Sequence, residues 1–259
     1  MVHEVIDLQQ ARHSPRVARK RQARIREIVC AALAMLRDEG NDALTLGRVA
    51  TRLGLTTAAL YRYFPSKDAL DAELQRAVIA ALVASVRERT EAADAYAVRE
   101  ALCERDRALL AIVVTALVFE RFAETSPAEF GCLTRNLSTP DHVLPDREAA
   151  HVFEAAWSAL VDLAVRIEVA QGCDVLSQGD PNERAVALWA ALQGVVQTRK
   201  LVRSARGRIE PGRVAQSLVR SLLVGWGAAH DAAQDVLDLA EREGFADELA
   251  STLDFLHTN

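Results

Sequence analysis

One short stretch gathers side chains suited to contacting an extended polyanion: Tyr61, Arg62, Tyr63 and Lys67, preceded by Thr45, Thr56 and Thr57. A tyrosine hydroxyl can bond a phosphate oxygen while its ring packs on the adjoining sugar. Lys67 follows Ser66 at a helix start, where its charge and the free backbone amides can grip one phosphate together. Arg62 or Thr57 is the candidate for reading base edges, since a guanidinium pairs with guanine and a threonine methyl meets thymine. Each of these side chains is otherwise a solvated surface group or, for the tyrosines, a core contact. Upstream, Arg12, Arg16, Arg19, Lys20, Arg21, Arg24 and Arg26 form a basic run with no acid before Glu27. Such a run can follow a phosphate backbone or enter a minor groove, and Arg24 is its best candidate for a phosphate contact. A solvated helix end is the competing reading.

Other chemistry finds little support. Glu148-Ala-Ala-His151 is the one Glu-x-x-His spacing, whereas a carboxylate-bridged metal bundle needs two such motifs and two further glutamates. It reads as a surface or pocket-lining pair, and no metal or cofactor is expected. No phosphate-binding glycine loop, dinucleotide fingerprint, nucleophile elbow or zinc spacing occurs, so an enzyme is not expected. Cys30, Cys103, Cys132 and Cys173 lie far apart without paired spacing and read as reduced thiols.

Helical periodicity runs through almost every segment, without alternating β-branched strands, and predicts an all-α fold. A loose tail of residues 1–16 precedes a first helix over 17–39, stopped by Gly40-Asn41. Two short helices follow, about 45–53 and 57–64. Thr45 and Thr56 are their caps, Gly54 sits at the turn, and Leu46, Val49, Ala50, Leu53, Ala59 and Leu60 form the inward faces. This is the pattern of a helix-turn-helix, whose second helix enters the major groove. Longer helices are predicted over 67–89, 98–124, 146–170, 182–203, 211–229 and 231–255, with one short helix plus a loop over 127–146.

The block from Thr45 to Leu70 resembles the DNA-binding domain of the TetR/AcrR family of regulators. The resemblance rests on Ala31-Ala32, Gly40, Thr45, Val49-Ala50, Gly54-Leu55-Thr56, Leu60-Tyr61, Tyr63-Phe64 and Ser66-Lys67 with Leu70. Thr56 stands where the family often has serine, and Ala58 where it often has glycine. The match covers about residues 21–82. It implies a three-helix DNA-binding domain over 17–82, and over 83–259 a larger helical domain that binds an effector and dimerises. It also implies a cytoplasmic homodimer on a palindromic operator in double-stranded DNA, by default a repressor released by its ligand.

In that larger region the motifs are weaker. The helices at 182–203 and 212–229 carry wide apolar faces with Gly194, Gly225 and Gly227 for close crossings, and the family dimerises through two such helices in a four-helix bundle. Phe119, Phe122, Phe130, His151, Trp157, Trp189 and Gln193 are candidate effector contacts, although pockets and cores use the same residue types. Few charges interrupt 112–119, which points to an apolar ligand.

The charge balance agrees. Residues 1–70 hold 12 lysines and arginines against 7 acids, and the rest of the chain 19 against 29, so a basic front precedes an acidic body. Half of the 259 residues are hydrophobic, enough for a sizeable core, yet no apolar stretch is long enough for a membrane span. The N-terminus lacks the features of a secretory signal.

Overall fold

The computed structural model describes residues 15–137, 146–204 and 210–258. Most of the expected tail, and the loop expected before Asp146, lie outside the described residues. The chain divides into two compact units, the first ending at Leu74 and the second beginning at Gln75. The described residues contain helices and no strand.

In the first unit, α1 (Pro15–Glu39) buries Ile28, Val29, Ala32, Leu33 and Leu36 on one stripe. It stops where Gly40 takes φ 79°, and the Gly40 amide bonds the Leu36 carbonyl at 3.1 Å. A 3₁₀ turn (Asn41–Ala43) leads to α2 (Leu46–Arg52). Its cap is Thr45, whose hydroxyl accepts from the Arg48 amide at 3.3 Å. The turn after α2 places Gly54 at φ 65°. Thr56 then caps α3 (Thr57–Tyr61) by accepting from the Ala59 amide at 3.2 Å. Met35, Leu44, Leu46, Val49, Ala50, Leu60, Phe64, Leu70, Ala72 and Leu74 are buried with them. Ser66 accepts from the Ala69 amide at 3.0 Å and starts α4 (Lys67–Arg99).

The second unit comprises the remainder of α4 with α5 (Glu104–Thr125), α6 (Pro127–Leu137), α7 (Asp146–Gly172), α8 (Pro181–Ser204), α9 (Pro211–Gly225), α10 (His230–Arg242) and α11 (Thr252–Thr258). Helix α5 is the central element. It packs against α6, α7, α8, α9 and α10, so nearly its whole circumference is buried. Within this core the Arg199 guanidinium of α8 pairs with the Glu120 carboxylate of α5 and also donates to the Glu120 carbonyl at 3.0 Å. Asp180 caps α8 by accepting from the amides of Asn182 and Glu183, at 2.8 and 3.3 Å, with Pro181 in the first helical position.

Five boundaries differ clearly from the sequence reading. Helix α4 runs to Arg99 instead of ending near Arg89, and α5 starts at Glu104 instead of Val98. The break is made by Ala101 at φ 53°, with the Leu102 amide bonding the Ala97 carbonyl at 2.9 Å. A left-handed stop built on alanine carries no glycine signal. The expected helix over 231–255 is two helices, because Gly244 at φ 64° ends α10. Helix α3 ends at Tyr61, and α9 ends at Gly225 instead of continuing to Ala229.

Candidate nucleic-acid interface and ligand cavity

Helix α3 buries Leu60 and half-buries Ala59, which turns its other residues outward. Thr57, Ala58, Tyr61 and Arg62 are exposed, Tyr61 by 51%. Tyr61 therefore presents its ring and hydroxyl to solvent. Tyr63 is half-buried. Lys67 is exposed in the first turn of α4, with Asp68 beside it. Neither Arg62 nor Lys67 forms an ion pair among the described residues.

The other cations of this unit divide in two. Arg48 pairs with Glu39, and Arg52 pairs with Asp38 at 3.2 Å, so these two tie α2 to the end of α1. Arg24 pairs with Glu27 at 2.7 Å and would have to give up that partner to meet a phosphate. Arg16, Arg19, Lys20 and Arg21 are exposed along the start of α1. The basic run from Arg16 onward therefore stands on a helix, and Arg12 lies outside the described residues. Thr45 and Thr56 are exposed but spend an oxygen lone pair on capping, which leaves each hydroxyl proton free to donate.

The second unit contains a cavity of about 1100 Å³ lined by α4, α5, α6, α7 and α8. Of the residues singled out from sequence, Phe119, Trp157 and Trp189 line it. Phe122, Phe130, His151 and Gln193 do not. Phe122 and Phe130 are buried, and Phe130 meets Phe119 edge-on at 5.5 Å. Gln193 is buried away from the lining, and His151 is exposed. Beyond the candidate contacts, the lining includes Ile79, Leu82, Val83, Val86 and Arg87 of α4 and Arg166 of α7. The four-residue repeat of apolar side chains along α4 was the available signal. No group of three or more potential metal ligands occurs among the described residues, so Glu148 and His151 are not joined by others.

Exposure also distinguishes the outer helices. Phe153, Trp157, Val161, Val165 and Val169 recur every fourth residue on α7, and all five are exposed. Neighbouring α8 exposes Ala187, Ala190, Gly194, Gln197, Thr198 and Leu201, and α9 exposes Arg213, Ser217, Ser221, Val224 and Gly225.

The first unit is thus a capped helix-turn-helix, and a larger helical unit follows it in the chain. Residues 28–74 match the family model for bacterial regulatory proteins of the tetR family. Solved structures share the fold. A tetR-family regulatory protein from Rhodococcus RHA1 is 17% identical, with a TM-score of 0.54 over 81% of this chain and 98% of its own. RolR, in complex with resorcinol, is 11% identical, with a TM-score of 0.55 over 91% and 99%. AibR, in complex with isovaleryl coenzyme A and operator DNA, is 16% identical, with a TM-score of 0.51 over 77% and 98%. None of the curated proteins compared matches the chain in sequence. No described helix is long and apolar enough to cross a membrane.

Proposed function

We propose that this protein is a repressor that binds a palindromic operator as a homodimer and is released by a small ligand held in the α4–α8 cavity. The observation that carries the DNA half is the outward face of α3 and the start of α4. There Thr57, Tyr61, Arg62 and Lys67 are exposed, and the two cations have no ion-pair partner among the described residues. Arg62 or Thr57 reads bases, Tyr61, Tyr63 and Lys67 hold phosphates, and Arg24 with its neighbours on α1 adds backbone contacts. Thr45 and Thr56 position α2 and α3 and offer their hydroxyl protons. The experiment is fluorescence anisotropy with duplex from the protein's own promoter region against random duplex, across a salt series. Preference for the promoter site with a steep salt dependence is expected. Equal affinity for random duplex at moderate salt would leave only an architectural, sequence-independent role.

The sensor half rests on the cavity. Its lining is mainly apolar, which favours a ligand with an apolar body, and it includes five residues of α4, the helix whose first two turns belong to the DNA-binding unit. A ligand there shifts DNA binding only by its different affinity for the bound and released conformations. AibR, crystallised with both an acyl coenzyme A and operator DNA, supports the pairing of these two activities on one such fold.

For the homodimer, exposure favours α7 with α8 over the pair at 182–203 and 212–229 expected from sequence. Large apolar side chains on α7 stand next to the small residues of α8. That combination is self-complementary across a two-fold axis, as an isologous interface requires. The exposed line of α9 runs through Arg213, Ser217 and Ser221 and carries one large apolar side chain, Val224, against five on α7.

A further inference from the structure

We infer that Arg166 anchors the acidic group of an amphipathic ligand, so that the effector is an organic carboxylate with an apolar body. This rests on the cavity being the effector site, as proposed above.

Besides the indole N–H groups of Trp157 and Trp189, five of the cavity's lining residues carry polar side chains: Arg87, Thr115, Glu154, Asp162 and Arg166. Four are already accounted for. Arg87 pairs with Glu91 at 2.8 Å, on the solvent side. The Thr115 hydroxyl donates to the Ala111 carbonyl at 2.8 Å, within its own helix. Glu154 and Asp162 are exposed, and their carboxylates are solvated.

Arg166 differs. It is half-buried, and it forms no ion pair with any described carboxylate. Its guanidinium donates to two neutral oxygens, the Asp162 carbonyl at 2.7 Å and the Thr90 hydroxyl at 3.4 Å, the second a long contact. Burial lowers its pKa from the usual arginine value, and the Asp162 charge only partly opposes this. A guanidinium is still charged at neutral pH, so a partly desolvated and unpaired one is costly to keep. Here it borders a cavity whose apolar walls include Ile79, Leu82, Val86, Phe119, Leu188 and Trp189. An anion entering with its apolar part against those side chains would supply the missing counter-charge, in the fork-to-fork geometry that arginine and carboxylate share. A neutral apolar ligand would fill the same walls and leave the charge uncompensated.

The test uses matched probes on the purified full-length protein, decanoate and decan-1-ol, which differ only at the head group. Binding is read from the fluorescence of Trp157 and Trp189. Wild type is expected to bind decanoate at least about tenfold more tightly than the alcohol, a modest value for one charge-assisted pair. Arg166→Gln should abolish that preference while leaving alcohol binding within about twofold, and Arg166→Lys should restore part of it. The wild-type comparison stands even if a variant fails to fold, which circular dichroism would reveal. Equal binding of the two probes to wild type overturns the acidic-ligand inference and leaves the cavity as an apolar effector site. A preference for decanoate that survives in Arg166→Gln overturns it equally. Binding of neither probe overturns the inference and the effector-site reading together. Release of operator DNA by decanoate in the anisotropy assay is the independent readout for that second reading.

Discussion

At the scale of single residues, contacts to phosphate and contacts to bases make different predictions. Lys67 is an exposed cation at a helix start, with no ion-pair partner among the described residues. Replacing it by alanine should weaken binding to operator and random duplex alike, and lower the slope of log affinity against log salt by roughly one phosphate contact. Arg62→Ala should instead cost roughly 1–3 kcal/mol on the operator and relax preference at one base position. Anisotropy titrations at several salt concentrations separate the two. If Lys67→Ala changed sequence preference without touching the salt slope, the two roles would be reversed. The outward set on α3 was legible in the sequence because Leu60 and the caps fix the phase of a short helix, leaving few ways to orient the rest. Arg166 was not legible. Nothing local distinguishes a guanidinium that borders a cavity from one in water; the difference is made by Thr90 on another helix.

Among elements, local signals and tertiary ones had different visibility. The capped helices α2, α3 and α8 were readable because Thr45, Thr56 and Asp180 bond amides within three residues. Thr45→Ala should destabilise the first unit by about 1 kcal/mol, measured by urea unfolding. The extent of α4 was hidden, since its stop depends on Ala101 adopting a conformation that side chains rarely take. The join between α5 and α8 was equally hidden. Glu120 and Arg199 are 79 residues apart and meet only in the folded core. Arg199→Ala leaves a buried carboxylate without its partner and should cost about 3–5 kcal/mol. Replacing Glu120 by leucine and Arg199 by methionine together should cost far less. Thermal melts of the single and double variants decide this, and equal losses would mean that the pair contributes packing alone. The Glu148→Ala, His151→Ala double variant should keep fold and DNA binding, as expected of a pair at the surface.

For the whole molecule, the assignment of α7 and α8 as the meeting face is tested by charge. Val161→Asp places a carboxylate on the exposed apolar line of α7, and Gly194→Gln adds bulk among the small residues of α8. Each should shift sedimentation velocity from dimer to monomer and reduce operator affinity, because a palindrome is held by two heads at once. Ser217→Asp on α9 should do neither. Loss of the dimer in Ser217→Asp with Val161→Asp unaffected would restore the helix pair expected from sequence, since α8 belongs to both alternatives. The sequence could not separate these alternatives, because α7, α8 and α9 are all rich in apolar residues and only the fold decides which faces remain uncovered.

Phe153, Trp157 and Val165 occupy two roles at once, since they line the cavity and also stand exposed on α7. If a second copy covers α7, the same atoms take part in two equilibria, and equilibria that share atoms are linked. Linkage is reciprocal: whatever factor dimerisation imposes on ligand affinity, the ligand must impose on the dimer constant. Decanoate titrations at protein concentrations straddling the dimer constant should therefore yield different apparent affinities. Superimposable curves over a roughly hundredfold range of protein would mean that the two equilibria are independent. With linkage, the cell's supply of this protein sets the threshold of its own response, and a promoter that the protein represses for itself would be tuned by the same association that shapes its ligand site.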